Sequence, residues 1–135
     1  MMRVSFILVL LVLIIGCAGG VLTVTQKSGS TVLPATYEDG IGRMLVTVNM
    51  ANGEVLKGRL TWTPPGGKVS TTLITVNNTP EMATGKLPGN KGMYIGDLAG
   101  NKGTTMKVEL LCDPLTGQCV GLGQANSGEV FDIHR

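Results

Sequence analysis

Histidine is almost missing from this 135-residue chain: His134 is its single copy. A Ser-His-Asp or Cys-His mechanism needs an imidazole held rigidly beside a nucleophile, and a residue next to the last position is poorly placed for that. One histidine also cannot complete a common zinc site, so no metal, cofactor or catalytic residue is assigned. Aromatic residues make up only 4% of the chain, so Val, Leu, Ile and Met must fill any core. Charge is sparse as well, with eleven Lys and Arg against nine Asp and Glu. That balance leaves no basic stripe for nucleic acid. The longest apolar run, Val4 to Ile15, falls short of the roughly 20 residues that span a bilayer as a helix. Beyond it no stretch keeps a helical period, which argues against helical folds.

What the chain does contain is alternation and turn residues. Met44, Val46, Val48 and Met50 alternate with Leu45, Thr47 and Asn49, and Asn52-Gly53 follows as a hairpin signal expected to form a type I′ turn. Leu56, Gly58, Leu60 and Trp62 then share one strand face, with Lys57, Arg59, Thr61 and Thr63 on the other. After Pro64-Pro65-Gly66-Gly67, the β-branched stretch from Lys68 to Asn77 reads as the next strand of a meander. Residues 93–98, 104–112, 119–125 and 130–134 supply further short strands. The expected fold is all-β: a small antiparallel barrel or sandwich of about seven strands.

Gly-Asn-Lys-Gly occurs twice, at 89–92 and 100–103. Backbone amides in such loops can form an anion nest. No helix follows either copy and neither fits GxxxxGK[ST], so two hairpin turns are the preferred reading. The carboxylates (Glu38, Asp39, Glu54, Glu81, Asp97, Glu109, Asp113, Glu129 and Asp132) fall mostly at turns or on outward strand positions, where solvation is expected. No pair among them stands out as catalytic. Trp62, the only tryptophan, is in phase with Leu56 and Leu60 and so reads first as core. A strand-end indole could instead stack on a ligand or partner.

The N-terminus carries an address. Arg3 precedes the apolar run, as in the n- and h-regions of a signal peptide. The run closes on Ile14-Ile15-Gly16-Cys17, which resembles the lipobox of bacterial lipoproteins. That resemblance covers residues 1–17. It implies a diacylglyceryl thioether on Cys17, cleavage after Gly16 and acylation of the new amine. Ala18, in place of an Asp that retains such proteins at the inner membrane, implies the outer membrane, facing the periplasm, in a Gram-negative host. With Cys17 lipidated, Cys112 and Cys119 remain as an even pair around a turn-rich loop, and read as a disulfide. Six intervening residues fit neither a redox CxxC nor a common zinc spacing.

The expected organisation is a signal peptide (1–16), a lipidated tether and lead-in (17–41) and a β-domain (42–135). Val21 to Thr25 could pair as a strand or belong to the tether. A tether of that length would hold the domain up to a few nanometres off the membrane, at about 3.3 Å per residue. The expected function is a non-enzymatic interaction or structural role at the envelope, with the membrane and an envelope protein or the cell wall as partners. Ser127-Gly128 followed by Phe131 is similar to the Ser-Gly-x-x-Tyr motif of lipoprotein inhibitors of lysozyme, with Phe in place of Tyr and no companion Lys-Gly motif. An inhibitor of a wall-degrading enzyme is therefore an alternative, and a cryptic hydrolase is a third.

Overall fold

The computed structural model describes residues 19–70 and 84–135, and the lipobox and Cys17 lie outside them. Ten strands are formed among the described residues: β1 (Gly19–Gln26), β2 (Val32–Gly40), β3 (Arg43–Asn49), β4 (Val55–Thr63), β5 (Lys68–Ser70), β6 (Thr84–Lys86), β7 (Gly92–Gly100), β8 (Thr105–Cys112), β9 (Cys119–Ala125) and β10 (Val130–His134). Eight of them close an antiparallel barrel in the order β1-β10-β9-β8-β7-β4-β3-β2, and β5 pairs with β6 as a separate ribbon. Closure leaves the barrel no unpaired edge.

Period-two patterning sets the inside. Leu22, Val24, Met44, Val46, Val48, Leu56, Leu60, Leu98, Met106, Val108, Leu110, Phe131 and Ile133 point inward and are buried. An eight-stranded barrel is just wide enough for side chains to fill. Glycine makes that filling possible. A Cβ at Gly58, Gly96 or Gly121, all inward positions, would overlap the neighbouring strand's backbone at Asp97, Arg59 or Glu109 respectively. Large Leu and Met side chains interleave with these gaps, as a tightly curved small barrel requires.

Three expectations are corrected by this topology. Residues 19–40 are not a tether: β1 and β2 pair over seven residue pairs, and β1 closes the barrel against β10. The stretch beginning at Lys68 does not continue the meander. β4 pairs with β7 instead, from Leu56↔Gly100 to Thr63↔Met93, and β5 leaves the barrel to pair with β6. The remainder of that expected strand, from residue 71 on, lies outside the described residues. The Asn52-Gly53 hairpin is not type I′, because Asn52 does not adopt positive φ while Gly53 does, at 86°. The amide of Gly53 donates to Met50 O and that of Met50 to Glu54 O. This is a turn over Ala51-Asn52 closed by a left-handed glycine, the three-residue hairpin with a bulge.

The β5–β6 ribbon lies on the outside of β7 and β8. Val69 and Leu87 cover Met93, with Ile95 and Leu111 packed alongside, forming a second small apolar cluster on the outward face. Glu109, opposite Ile95 in the β7–β8 register, is also fully buried. Its outward phase was correct, but the expected solvation was not, since an outward position here lies in a covered sector.

Candidate functional site

Strand direction divides the barrel into two ends. β1 starts at one, here the proximal end, which also holds the Ile41-Gly42 turn, the Asp113–Gln118 turn and Arg135. The distal end holds the 27–31, 50–54, 101–104 and 126–129 turns.

The proximal mouth collects nearly all the aromatic side chains of the described residues. Trp62 and Tyr94 are directly opposed on β4 and β7, with ring centroids 4.7 Å apart at 46°. Gly92 lies under the indole, where a Cβ would overlap the ring. Tyr37 points into the same mouth from β2, over Gly20 of β1. The Arg135 guanidinium sits 4.4 Å from the Tyr37 ring centroid and donates to both carboxylate oxygens of Asp39, at 3.2 and 3.0 Å. Such a bidentate fork over a ring combines a charge-assisted pair with a cation–π contact. The Arg135 backbone is pinned by its N–H donating to Cys119 O at 2.9 Å.

Beside this group the Cys112–Cys119 disulfide links β8 to β9. The loop it closes is ordered by Asp113, whose Oδ1 accepts from Leu115 N at 2.9 Å and whose Oδ2 lies 3.6 Å from Lys91 Nζ. The Leu115 amide, ahead of the Lys91 charge, holds the Asp113 carboxyl below its usual range against the opposing pull of desolvation. Tyr94 is pushed the other way: burial, then the Asp39 charge, raise its phenol above the ordinary value despite Arg135. Trp62, Tyr94, the disulfide, Asp113, Pro114, Gly117 and Arg135 line a depression of about 190 Å³. Trp62 is thus half-buried at the rim, packed on the core with one side toward this depression.

At the distal end a single carboxylate organises the closure. Glu54, fully buried, immediately precedes β4, in inward phase with Leu56. Its Oε2 accepts from Lys102 N at 2.7 Å and Thr104 N at 3.2 Å, and its Oε1 accepts from the Thr104 hydroxyl. The second Gly-Asn-Lys-Gly copy is therefore a hairpin turn, as expected, and also an anion nest whose anion is the protein's own carboxylate. Gly100 belongs to the fit, because a Cβ there would overlap the carboxylate. The Thr104 hydroxyl contributes most to holding Glu54 below the ordinary carboxylate range; burial opposes it, and the Lys102 and Thr104 amides and the Lys102 charge add to it. The first copy, at 89–92, is not a hairpin between barrel strands but the entry to β7, with Lys91 N donating to Pro88 O.

The remaining sequence candidates fall elsewhere. His134 is not a loose end: it lies on β10, paired with Thr23 and Val120, and its side chain is exposed on the outer face. Asp97 is exposed on β7 between Arg59 and Lys107 in the register, one diagonal step from buried Glu109. Among the described residues no group of three or more His, Cys, Asp or Glu is arranged to hold a metal ion. Outside the barrel, Thr36, Glu38, Leu45, Thr47, Lys57 and Arg59 line a shallow groove of about 500 Å³ across β2, β3 and β4. Sequence reasoning missed both the Arg135–Asp39–Tyr37 group and the Glu54 nest. Their partners lie 96 and 48–50 positions apart, a separation that local patterning does not span. No known protein family, curated protein or solved structure matches the chain.

Proposed function

We propose that this chain is a lipid-anchored protein of the bacterial envelope whose barrel acts by binding, not by catalysis. One observation carries the reading: Cys112 and Cys119 are bonded to each other, so of the three cysteines only Cys17, at the end of the signal-like run, stands outside that bond. A structural disulfide suits an exported protein, and lipidation gives the odd cysteine a use. In a Gram-negative host the anchored barrel faces the periplasm from the outer membrane. Its interior is packed with side chains, which leaves the outer surface for recognition. The β2–β4 groove, with Glu38, Lys57 and Arg59 around Leu45, offers mixed charge around an apolar centre to an envelope protein or the cell wall.

Inhibition of a wall-degrading enzyme has less support. Ser127 is exposed at a distal turn, but Phe131, the aromatic of that resemblance, is buried in the core. A hydrolase has less still, because Glu54 is spent on the 101–104 turn. Fractionation tests the address. The chain is expected in the membrane pellet, and globomycin or Cys17→Ser is expected to leave the signal peptide uncleaved. Normal cleavage and membrane retention in the Cys17→Ser variant would contradict the proposal.

A further inference from the structure

The barrel's proximal end differs from the rest of its surface in a way that the anchoring route makes meaningful. Of the large apolar side chains left exposed among the described residues, Val21, Ile41, Leu45, Leu115 and Val120 lie in the proximal half, and Val32 lies in the distal half. Ile41 and Leu115 sit at the tips of two of the proximal turns, Ile41 wholly exposed and Leu115 93% exposed; a further described turn there, Pro64 to Gly67, carries no aliphatic tip of this kind. No packing requirement of the barrel places an aliphatic side chain at a turn tip. The distal turns carry Lys27-Ser28-Gly29-Ser30, Ala51-Asn52-Gly53, Asn101-Lys102-Gly103 and Asn126-Ser127-Gly128 instead. Behind the proximal tips lies the Tyr37, Trp62, Tyr94 mouth, and Trp62 N donates to Gly42 O at 3.0 Å, next to Ile41. Tyr and Trp behind an apolar fringe are the side chains that favour the boundary between water and lipid headgroups.

The chain length between anchor and barrel supplies the occupant. β1 begins at Gly19, so only Ala18 separates it from Cys17. Two residues extend at most about 7 Å. A barrel held that closely by its proximal end cannot stand away from the bilayer.

We infer that the proximal end is a membrane-docking surface, with Ile41 and Leu115 inserted among the phospholipid headgroups and the aromatic mouth seated on them. This rests on the lipid anchor at Cys17 proposed above. It fixes the orientation of the barrel: the distal turns point away from the membrane, and the β2–β4 groove opens sideways. Anchoring by acyl chains alone would leave the barrel free to tumble about Ala18. A second, protein-borne contact with the headgroups restrains that rotation.

Trp62, the only tryptophan, is a built-in reporter of the proximal end. The full, lipidated chain is reconstituted into phosphatidylethanolamine/phosphatidylglycerol vesicles containing a phosphatidylcholine with a nitroxide on its headgroup. Trp62 fluorescence is expected to be quenched several-fold more than that of a distal reporter, Ser127→Trp in a Trp62→Phe background. Replacing both tips, Ile41→Ser with Leu115→Ser, is expected to remove most of the Trp62 quenching while the far-UV spectrum and Tm stay unchanged. Equal quenching at the two ends, or stronger quenching at the distal end, in vesicle-bound protein would overturn the docking surface and leave the anchor standing. Quenching unaffected by the tip replacements would overturn the role of Ile41 and Leu115. A chain that carries Cys17 but never becomes lipidated would overturn the anchor itself.

Discussion

The two ends of the barrel close it by opposite means. At the distal end one buried carboxylate, Glu54, is met by neutral donors: the amides of Lys102 and Thr104 and the Thr104 hydroxyl. At the proximal end a full ion pair joins Arg135 to Asp39, with the guanidinium over the Tyr37 ring and both side chains about a quarter exposed. A fully desolvated anion needs every lone pair satisfied, and a rigid hairpin turn supplies the donors at fixed positions. A pair near the surface tolerates rearrangement, because water can replace a lost partner. The distal end is therefore built to be rigid. The proximal end is the more adaptable, with aromatic and aliphatic side chains around a charge pair that water can reach.

Removing single groups should separate the ends in that order. Glu54→Ala leaves three part-buried donors without their acceptor and is expected to lower Tm the most, measured by thermal unfolding of the protein with its disulfide intact. If Arg135→Ala costs more, the rigid and adaptable assignments are reversed. Reducing the disulfide or replacing it by Cys112→Ser with Cys119→Ser should cost about 2.5 kcal/mol by loss of the loop constraint, read from denaturant midpoints. Arg135→Ala is expected to cost about 1 kcal/mol, as for a partly exposed pair with good geometry. The tip replacements at Ile41 and Leu115 should change stability by less than about 0.5 kcal/mol, since neither side chain packs on anything.

Acid sharpens the comparison further. Glu54 has a folded-state pKa below its ordinary 4.5, so the stability it contributes is present above that value and is lost as pH falls toward the folded one. Unfolding measured between pH 6 and 3 should therefore show an acid limb that flattens in Glu54→Gln. An unchanged acid limb would mean that the distal carboxylate is not the group whose protonation loosens the fold.

How much of this was readable in advance follows from the range of each interaction. Alternation in Met44 to Met50, Leu56 to Trp62 and Met106 to Cys112 reports which face is buried, because it is a local property of a pleated strand. It was right for each of these strands, and the all-β class follows from it; closure into a barrel rather than a sandwich depends on the β1–β10 pairing. Val21 to Thr25 alternates just as well, but a flanking Gly19-Gly20 and the polar 27–31 stretch leave it open between strand and linker; only pairing with His134 to Phe131 reveals it as a closing strand. The stretch from Lys68 has strong β propensity yet leaves the barrel, since propensity does not name a partner. Trp62 was placed correctly on the inward phase, and its packing on the core agrees. Its rim position depends on Tyr94 and Gly92, some 30 residues on. Glu109 shows the same limit from the other side: phase gives the outward face, but not that this position is buried.

The proposed orientation of the barrel rests on a proposed bond between Cys17 and lipid. Intact mass spectrometry of the protein extracted from membranes reads that bond directly. The expected result is a chain that begins at Cys17 and carries the added mass of a diacylglyceryl group, with or without a third acyl chain, and a closed Cys112–Cys119 disulfide. A chain that retains residues 1–16 with an unmodified Cys17 would contradict it.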